Sequence, residues 1–240
     1  MSRVSASNIE WREYGKLDYG VSHDLAHGIA EWRELREMLC SYGITPGGTC
    51  VEIGCGAGRL TNALAGDFET VHACDVSPDR ILQLRGIANS GKVTGHLLTG
   101  PTLPLDNHSA DLCISTHVFQ HIADAGVVHE YIAEMYRVLR PGGCILIHMP
   151  FVGAHGISGK LHAVAIRRFK ETIKRPVLAV TRILMARGWA SLPWKIDHYT
   201  VFEFGEVHAY LKQLGSRDVE LRLLSRDGIH SYVLARKSTA

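Results

Sequence analysis

Apolar residues fall into short unbroken runs, separated by stretches in which they recur every three or four positions. Between residues 22 and 41, Leu25, Ile29, Trp32, Leu35 and Leu39 follow the helical period, with Ser22 as a cap. TCVEIG (49–54) reads as a strand, and Arg59 to Ala65 opens a helix. TVHACDV (70–76) is a second strand; Ser77-Pro78 then caps a helix running to about Asn89. A weaker strand at 93–98 precedes the loop PTLPLDNHSA, and DLCIST (111–116) is a fourth strand. A helix from about Ala125 to Arg140 meets the stop signal Pro141-Gly142-Gly143, and CILIHMP (144–150) is a fifth strand. Further on, Thr200-x-x-Glu203 has the form of a capping box opening a helix to Leu214. VELRLLS (219–225) and IHSYVLAR (229–236) flank a hairpin-type turn at Arg226-Asp227-Gly228.

Strands that alternate with helices, and are apolar throughout, imply a parallel sheet covered on both faces. The expected fold is therefore a doubly wound α/β sheet ending in an antiparallel pair. Composition adds little to this: 46% hydrophobic and 21% charged residues are ordinary for a soluble globular chain. No run approaches the roughly 18 apolar residues of a membrane span, and the first residues lack the apolar segment of a secretory signal. The six cysteines are scattered without a C-x-x-C pair, which points to reduced thiols, a cytoplasmic setting and no structural zinc. His23-x-x-x-His27 and His117-x-x-x-His121 have metal-ligand spacing, but neither holds the glutamate of H-E-x-x-H or a nearby third ligand, so no metal is expected.

The chemistry begins at VEIGCGAGRL (51–60). Gly54, Gly56 and Gly58 follow the first strand and precede a helix, where glycine permits a sharp turn and close approach of a ligand to the main chain. A dinucleotide fingerprint needs G-x-G-x-x-G, and its third glycine would fall at Arg59, which disfavours a nicotinamide oxidoreductase. The spacing is instead E-x-G-x-G-x-G, with Glu52 before it and Asp75 near the end of strand two. A carboxylate at that strand end can accept from the vicinal hydroxyls of a ribose.

With HACDVSPDRI, LPLDNHSADLCIST, VFQHI and EMYRVLRPGGCILI in order behind it, this loop resembles the class I S-adenosylmethionine-dependent methyltransferases, in particular the ubiquinone/menaquinone-biosynthesis-like and small-molecule group. The resemblance is close over residues 45–150 and loose at the C-terminal hairpin. It implies a Rossmann-like, seven-stranded, mostly parallel sheet within a single domain. That domain comprises a helical extension (1–42), a cofactor-binding core (43–150), a helical lid insert (151–199), and a terminal helix and hairpin (200–240). It also implies that Gly54, Gly56 and Gly58 cradle S-adenosylmethionine, that Glu52 helps hold its ammonium and that Asp75 takes the ribose. Cys55, Val76 and Ser115 stand as further cofactor contacts. Many relatives carry an acid near the adenine, but LLTGPTLPL (97–105) has none before its L-P, so Thr99 and Gly100 are assigned that contact through their backbone.

Methyl transfer to a hydroxyl requires alignment, exclusion of water and removal of a proton, and histidine suits the last task. His117, just after strand four, is the first candidate base; His121 and His148 are alternatives. The insert carries nine Lys or Arg between Lys160 and Lys195 against Glu171 alone, within a chain of net charge +2. Its charges are read as a solvated lid, as recognition of an acidic or phosphate-bearing acceptor, or as contact with an anionic membrane surface. His155, Arg167, Arg168, His198 and Tyr199 are the candidate acceptor-binding residues. With no separate binding module, nucleic acid is not expected as a partner. The expected function is O-methylation of a small or lipid- or sugar-linked metabolite. N- or C-methylation, or a noncatalytic cofactor-binding role, are the alternatives, and the oligomeric state is left open.

Overall fold

A computed structural model describes residues 21–87, 91–122, 124–151, 200, 202–223 and 231–239. The chain runs α1 (Val21–Ser41), β1 (Thr49–Ile53), α2 (Thr61–Asp67), β2 (Thr70–Asp75), α3 (Pro78–Ile87), β3 (Val93–Leu97) and β4 (Ala110–Ser115). After a single 3₁₀ turn at Phe119–His121 come α4 (Ala125–Val138), β5 (Leu139–His148), α5 (Phe204–Gln213), β6 (Ser216–Leu223) and β7 (Ser231–Lys237). The seven strands form one sheet in the order β3-β2-β1-β4-β5-β7-β6. The five N-terminal strands are parallel, while β7 runs antiparallel between β5 and β6. The doubly wound sheet and its antiparallel ending are as expected from the apolar strand pattern.

Alternation along each strand divides the core in two. Cys50, Leu112, Ile114, Cys144, Leu146 and Leu234 face α1, α2 and the residues flanking α2, which contribute Trp32, Leu35, Leu39, Leu60, Leu64 and Phe68. The neighbouring positions Val51, Ile53, Cys113, Ile145, Ile147 and Val233 face the other way, against Ile132 and Met135 of α4 and Leu211 of α5. Each central strand is thus buried on both faces, which is why it carries no polar alternation. The side chain of Asp124 caps α4 by accepting from Gly126 N at 2.8 Å.

Three boundaries differ from expectation. The second helix begins at Thr61, not Arg59, because Arg59 still belongs to the glycine turn. Pro141-Gly142-Gly143 does not separate helix from strand: β5 already starts at Leu139, opposite Ala110, and Gly142 (φ 81°) lies where the β4–β5 register shifts. Thr200 caps nothing. Its N–H donates to Gln120 O at 2.6 Å, Phe202 N donates to Pro150 O, and Phe202 bridges Phe151, while α5 starts only after Glu203. One position on α1 also departs from the amphipathic reading, since Ile29 is 49% exposed. The Ser22 side chain, the 226–228 turn and the insert beyond Phe151 lie outside the described residues.

Leu146 is fully buried at the centre of β5. Leu146→Ala should lower stability by about 2–5 kcal/mol, read from denaturant unfolding midpoints at unchanged slope.

Candidate functional site

The strand order reverses between β1 and β4, which pair through Cys50–Leu112, Val51–Cys113 and Glu52–Ile114. In open α/β sheets a crevice opens beyond the strand C-termini at such a point. The loops leaving there are Gly54–Leu60 and Thr116–His121. They touch directly: a Cβ added to Gly54 would run into Val118 Cγ2, and the φ of 77° at Gly54 would strain any other residue. Gly56 also has a positive φ, of 55°, but a Cβ there would meet nothing within 4 Å, so this part of the loop borders open space.

The two acids anchor this loop from below. Asp75 Oδ2 accepts from Gly56 N at 2.8 Å and its Oδ1 from Ser77 N at 2.9 Å, joining the end of β2 to the glycine turn. A carboxylate has about four acceptor positions, so these bonds leave capacity for a ligand's hydroxyls. Burial raises the Asp75 pKa above the usual carboxylate range despite these bonds. Glu52 is 2% exposed and accepts from Thr61 Oγ1 at 2.6 Å. Burial, opposed by the Thr61 bond and reinforced by the Asp75 charge, pushes it up to about 7. One buried and one partly buried carboxyl group beside an open glycine turn suit a ligand that brings a cation and hydroxyl donors, as S-adenosylmethionine does.

The remaining expected cofactor contacts lie at the same end of the sheet, with different surroundings. Val76 packs against the α4-side core. Leu98 N binds Asp75 O, which brings Thr99 and Gly100 near that acid; Gly100 borders open space, and the Tyr131 hydroxyl donates to its carbonyl at 3.5 Å. The Cys55 thiol is buried and directed at Gly56 O, and burial holds its pKa well above the usual thiol value. Ser115 has no exposed surface, and its hydroxyl donates to Ile53 O at 3.0 Å, across the β1–β4 seam.

The candidate bases separate into a pair and an outlier. His117 sits at φ 59°, a left-handed conformation unusual for histidine, directly after β4. Its ring lies 4.6 Å from that of His148, at the end of β5, which in turn lies 5.1 Å from Tyr232. Burial and the nearby Arg59 charge push His117 down to about 4, so its resting imidazole is neutral at pH 7. His121 belongs to the 3₁₀ turn and lies 3.0 Å from Gln120 Nε2. Among the described residues no cluster of three or more potential metal ligands occurs. His155, Arg167, Arg168, His198 and Tyr199 lie outside the described residues.

Sequence reasoning missed Glu31. It lies on α1, pairs with Arg59 of the glycine loop, and places Oε1 3.4 Å from His117 Nε2. No local motif marks it, because its partners are distant in sequence and meet it only on folding.

Comparison with known proteins agrees with this geometry. Residues 51–147 match the family model for a methyltransferase domain. That segment, less than half of the chain, is similar to methyltransferase domains. The chain is 31% identical over 128 residues to malonyl-[acyl-carrier protein] O-methyltransferase of Serratia marcescens, covering 52% of this chain and 47% of that one. It is 34% identical over 141 residues to dimethylglycine N-methyltransferase of Parasynechococcus marenigrum, covering 56% and 49% respectively. The chain therefore spans about half the length of these curated relatives. In fold it is similar to magnesium protoporphyrin IX methyltransferase of Synechocystis PCC 6803, solved with bound S-adenosylhomocysteine, with a TM-score of 0.60, 16% identity and coverage of 98% and 95%. Among the described residues, no helix is long and apolar enough to cross a membrane.

Glu52 supplies a pH test. Its folded pKa is raised from 4.5 to about 7, so its contribution to stability is full below pH 4.5 and is lost as pH rises through 7. Glu52→Gln should therefore melt close to the native protein at pH 4.5 and increasingly above it between pH 5 and 7.5, measured by thermal unfolding without ligand.

Proposed function

We propose that the protein transfers a methyl group from S-adenosylmethionine to an oxygen of a small, or lipid- or sugar-linked, metabolite, with His117 as the general base. The carrying observation is the position of His117: on the β4 loop that seals against Gly54, in a left-handed conformation, with a ring kept neutral at rest. A histidine held in an uncommon backbone conformation beside a ligand loop is a reasonable site of stored strain for function.

When bound, S-adenosylmethionine supplies a methyl group activated by its positive sulfur. The chain's residues do the rest. Gly54, Gly56 and Gly58 admit the cofactor to the main chain, Glu52 balances its ammonium charge, and Asp75 accepts from the ribose hydroxyls. Cys55, Val76, Thr99, Gly100 and Ser115 shape the surrounding wall. His117 takes the proton that the acceptor hydroxyl loses as its oxygen bonds to the methyl carbon, and the donor's sulfur keeps the electron pair of the broken bond. His148 supports the His117 ring from the adjacent strand, and His121 lines the same loop.

In this reading residues 1–42 form an N-terminal extension and 43–150 the cofactor core. Residues 151–199 serve acceptor recognition, with His155, Arg167, Arg168, His198 and Tyr199 as its candidate binding residues, and 200–240 make the terminal helix and hairpin. The pairing of Phe151 with Phe202 and the bond from Thr200 to Gln120 favour this division, because they tether both ends of the insert near the β4 loop. The basic charges of the insert suit an acidic or lipid-linked acceptor, with peripheral membrane contact in the second case, and six free thiols suit the cytoplasm.

Labelled S-adenosylmethionine incubated with fractionated cell extract should yield a methylated product stable to the treatments that cleave N-methylammonium groups. His117→Ala should lower turnover about 10²-fold or more while S-adenosylhomocysteine affinity, by calorimetry, changes less than about twofold. Unchanged turnover would remove His117 from the role. Asp75→Asn should instead weaken S-adenosylhomocysteine binding about tenfold or more. Tight NAD binding without S-adenosylhomocysteine binding would overturn the whole reading.

A further inference from the structure

The N-terminal helix reaches the site through one turn. Gly28 is buried, and a Cβ there would collide with the Arg59 carbonyl, so the helix backbone rests directly on the end of the glycine loop. Three residues on, and hence on the same face of α1, Glu31 projects between the two site loops. The helix cannot easily shift along its axis: Trp32 Nε1 donates to Asp67 Oδ2 at 2.7 Å, and Trp32, Leu35 and Leu39 are buried in the core.

The Glu31 side chain is 10% exposed. One of its oxygens, Oε2, pairs with Arg59 Nη1, which also lies 3.4 Å from His27 Nδ1. The other, Oε1, is buried without a hydrogen bond, 3.4 Å from His117 Nε2. A buried carboxylate oxygen with no donor calls for an explanation. The groups facing His117 supply one. Arg59 from the glycine loop disfavours a charged ring, the Glu31 carboxylate from α1 lies beside Nε2, and His148 from β5 packs against the ring with Tyr232 behind.

Building on the assignment of His117 as base, we propose that Glu31 is its positioning residue. Oε1 holds the Nε2 edge of the ring, fixes the neutral tautomer with its proton on Nε2, and makes Nδ1 the nitrogen that takes the acceptor's proton. As that O–H bond breaks and the Nδ1–H bond forms, the ring becomes an imidazolium, and the contact with Oε1 becomes an ion pair that offsets Arg59. The otherwise donorless oxygen is thus matched to the protonated state of the base. The imidazolium returns its proton to solvent after the product leaves. Catalytic competence would then depend on α1, a helix outside the segment matched by the methyltransferase model.

Side-chain nitrogen NMR of histidine-labelled protein tests this without any acceptor, with the His117 signal assigned by its loss in His117→Asn. At pH 7.5 native His117 should be the Nε2–H tautomer, and Glu31→Met/Arg59→Met should lose that preference. Arg59→Met, which keeps Glu31, should raise the His117 titration midpoint by about one unit, and the double variant should abolish the rise. If Arg59→Met does not fold, the tautomer comparison decides. A native Nδ1–H tautomer, or equal midpoints in Arg59→Met and the double variant, would overturn the role of Glu31. If instead these results hold while His117→Ala keeps full turnover, the ring contact stands and the assignment of His117 as base falls.

Discussion

The parallel pairing of β1 with β4 is the constraint from which the site follows. Because β2 and β3 continue from one side of β1 while β5 continues from the far side of β4, the chain must leave these two neighbouring strands in opposite directions. Their C-terminal loops therefore diverge above a shared seam, and the space between them is where a ligand can enter. The seam is held by apolar contacts on both faces, by Ser115 Oγ donating to Ile53 O, and at the other end by Thr49 N donating to Asp111 Oδ2. Gly54 is the tightest point, since only a residue without a Cβ lets the Val118 side chain close over the turn.

Burial then gives the site its electrical character. Glu52, Asp75 and Glu31 are all taken partly or wholly out of water near one loop, where ionised carboxylates are costly unless they meet donors. Asp75 meets the backbone N–H groups of Gly56 and Ser77, Glu52 meets the Thr61 hydroxyl, and Glu31 meets Arg59 through Oε2. The fold has thus gathered three carboxyl groups close to the glycine turn. The same low polarity keeps His117 neutral, so it is able to accept a proton.

Much of this was legible along the chain, and particular residues show why the rest was not. The runs Val51–Ile53, Leu112–Ile114 and Ile145–Ile147 announced central strands because both faces of each are buried. Gly54, Gly56, Asp75 and Glu52 could be found because one loop and the ends of two adjacent strands bring them together. Pro141-Gly142-Gly143 misled because a glycine at positive φ also serves a register shift inside a ladder. Thr200 misled because its backbone N–H was claimed by Gln120, some 80 positions earlier.

The sequence by itself determined the doubly wound order of elements and the glycine turn, since these depend on local periodicity and on residues close together in the chain. Only the tertiary structure decided which histidine is held against a carboxylate and an arginine, and that the carboxylate comes from α1. His117, Arg59 and Glu31 share no local pattern; they become neighbours because hydrophobic burial packs α1 onto the sheet, and charge acts across the few ångströms that this packing leaves.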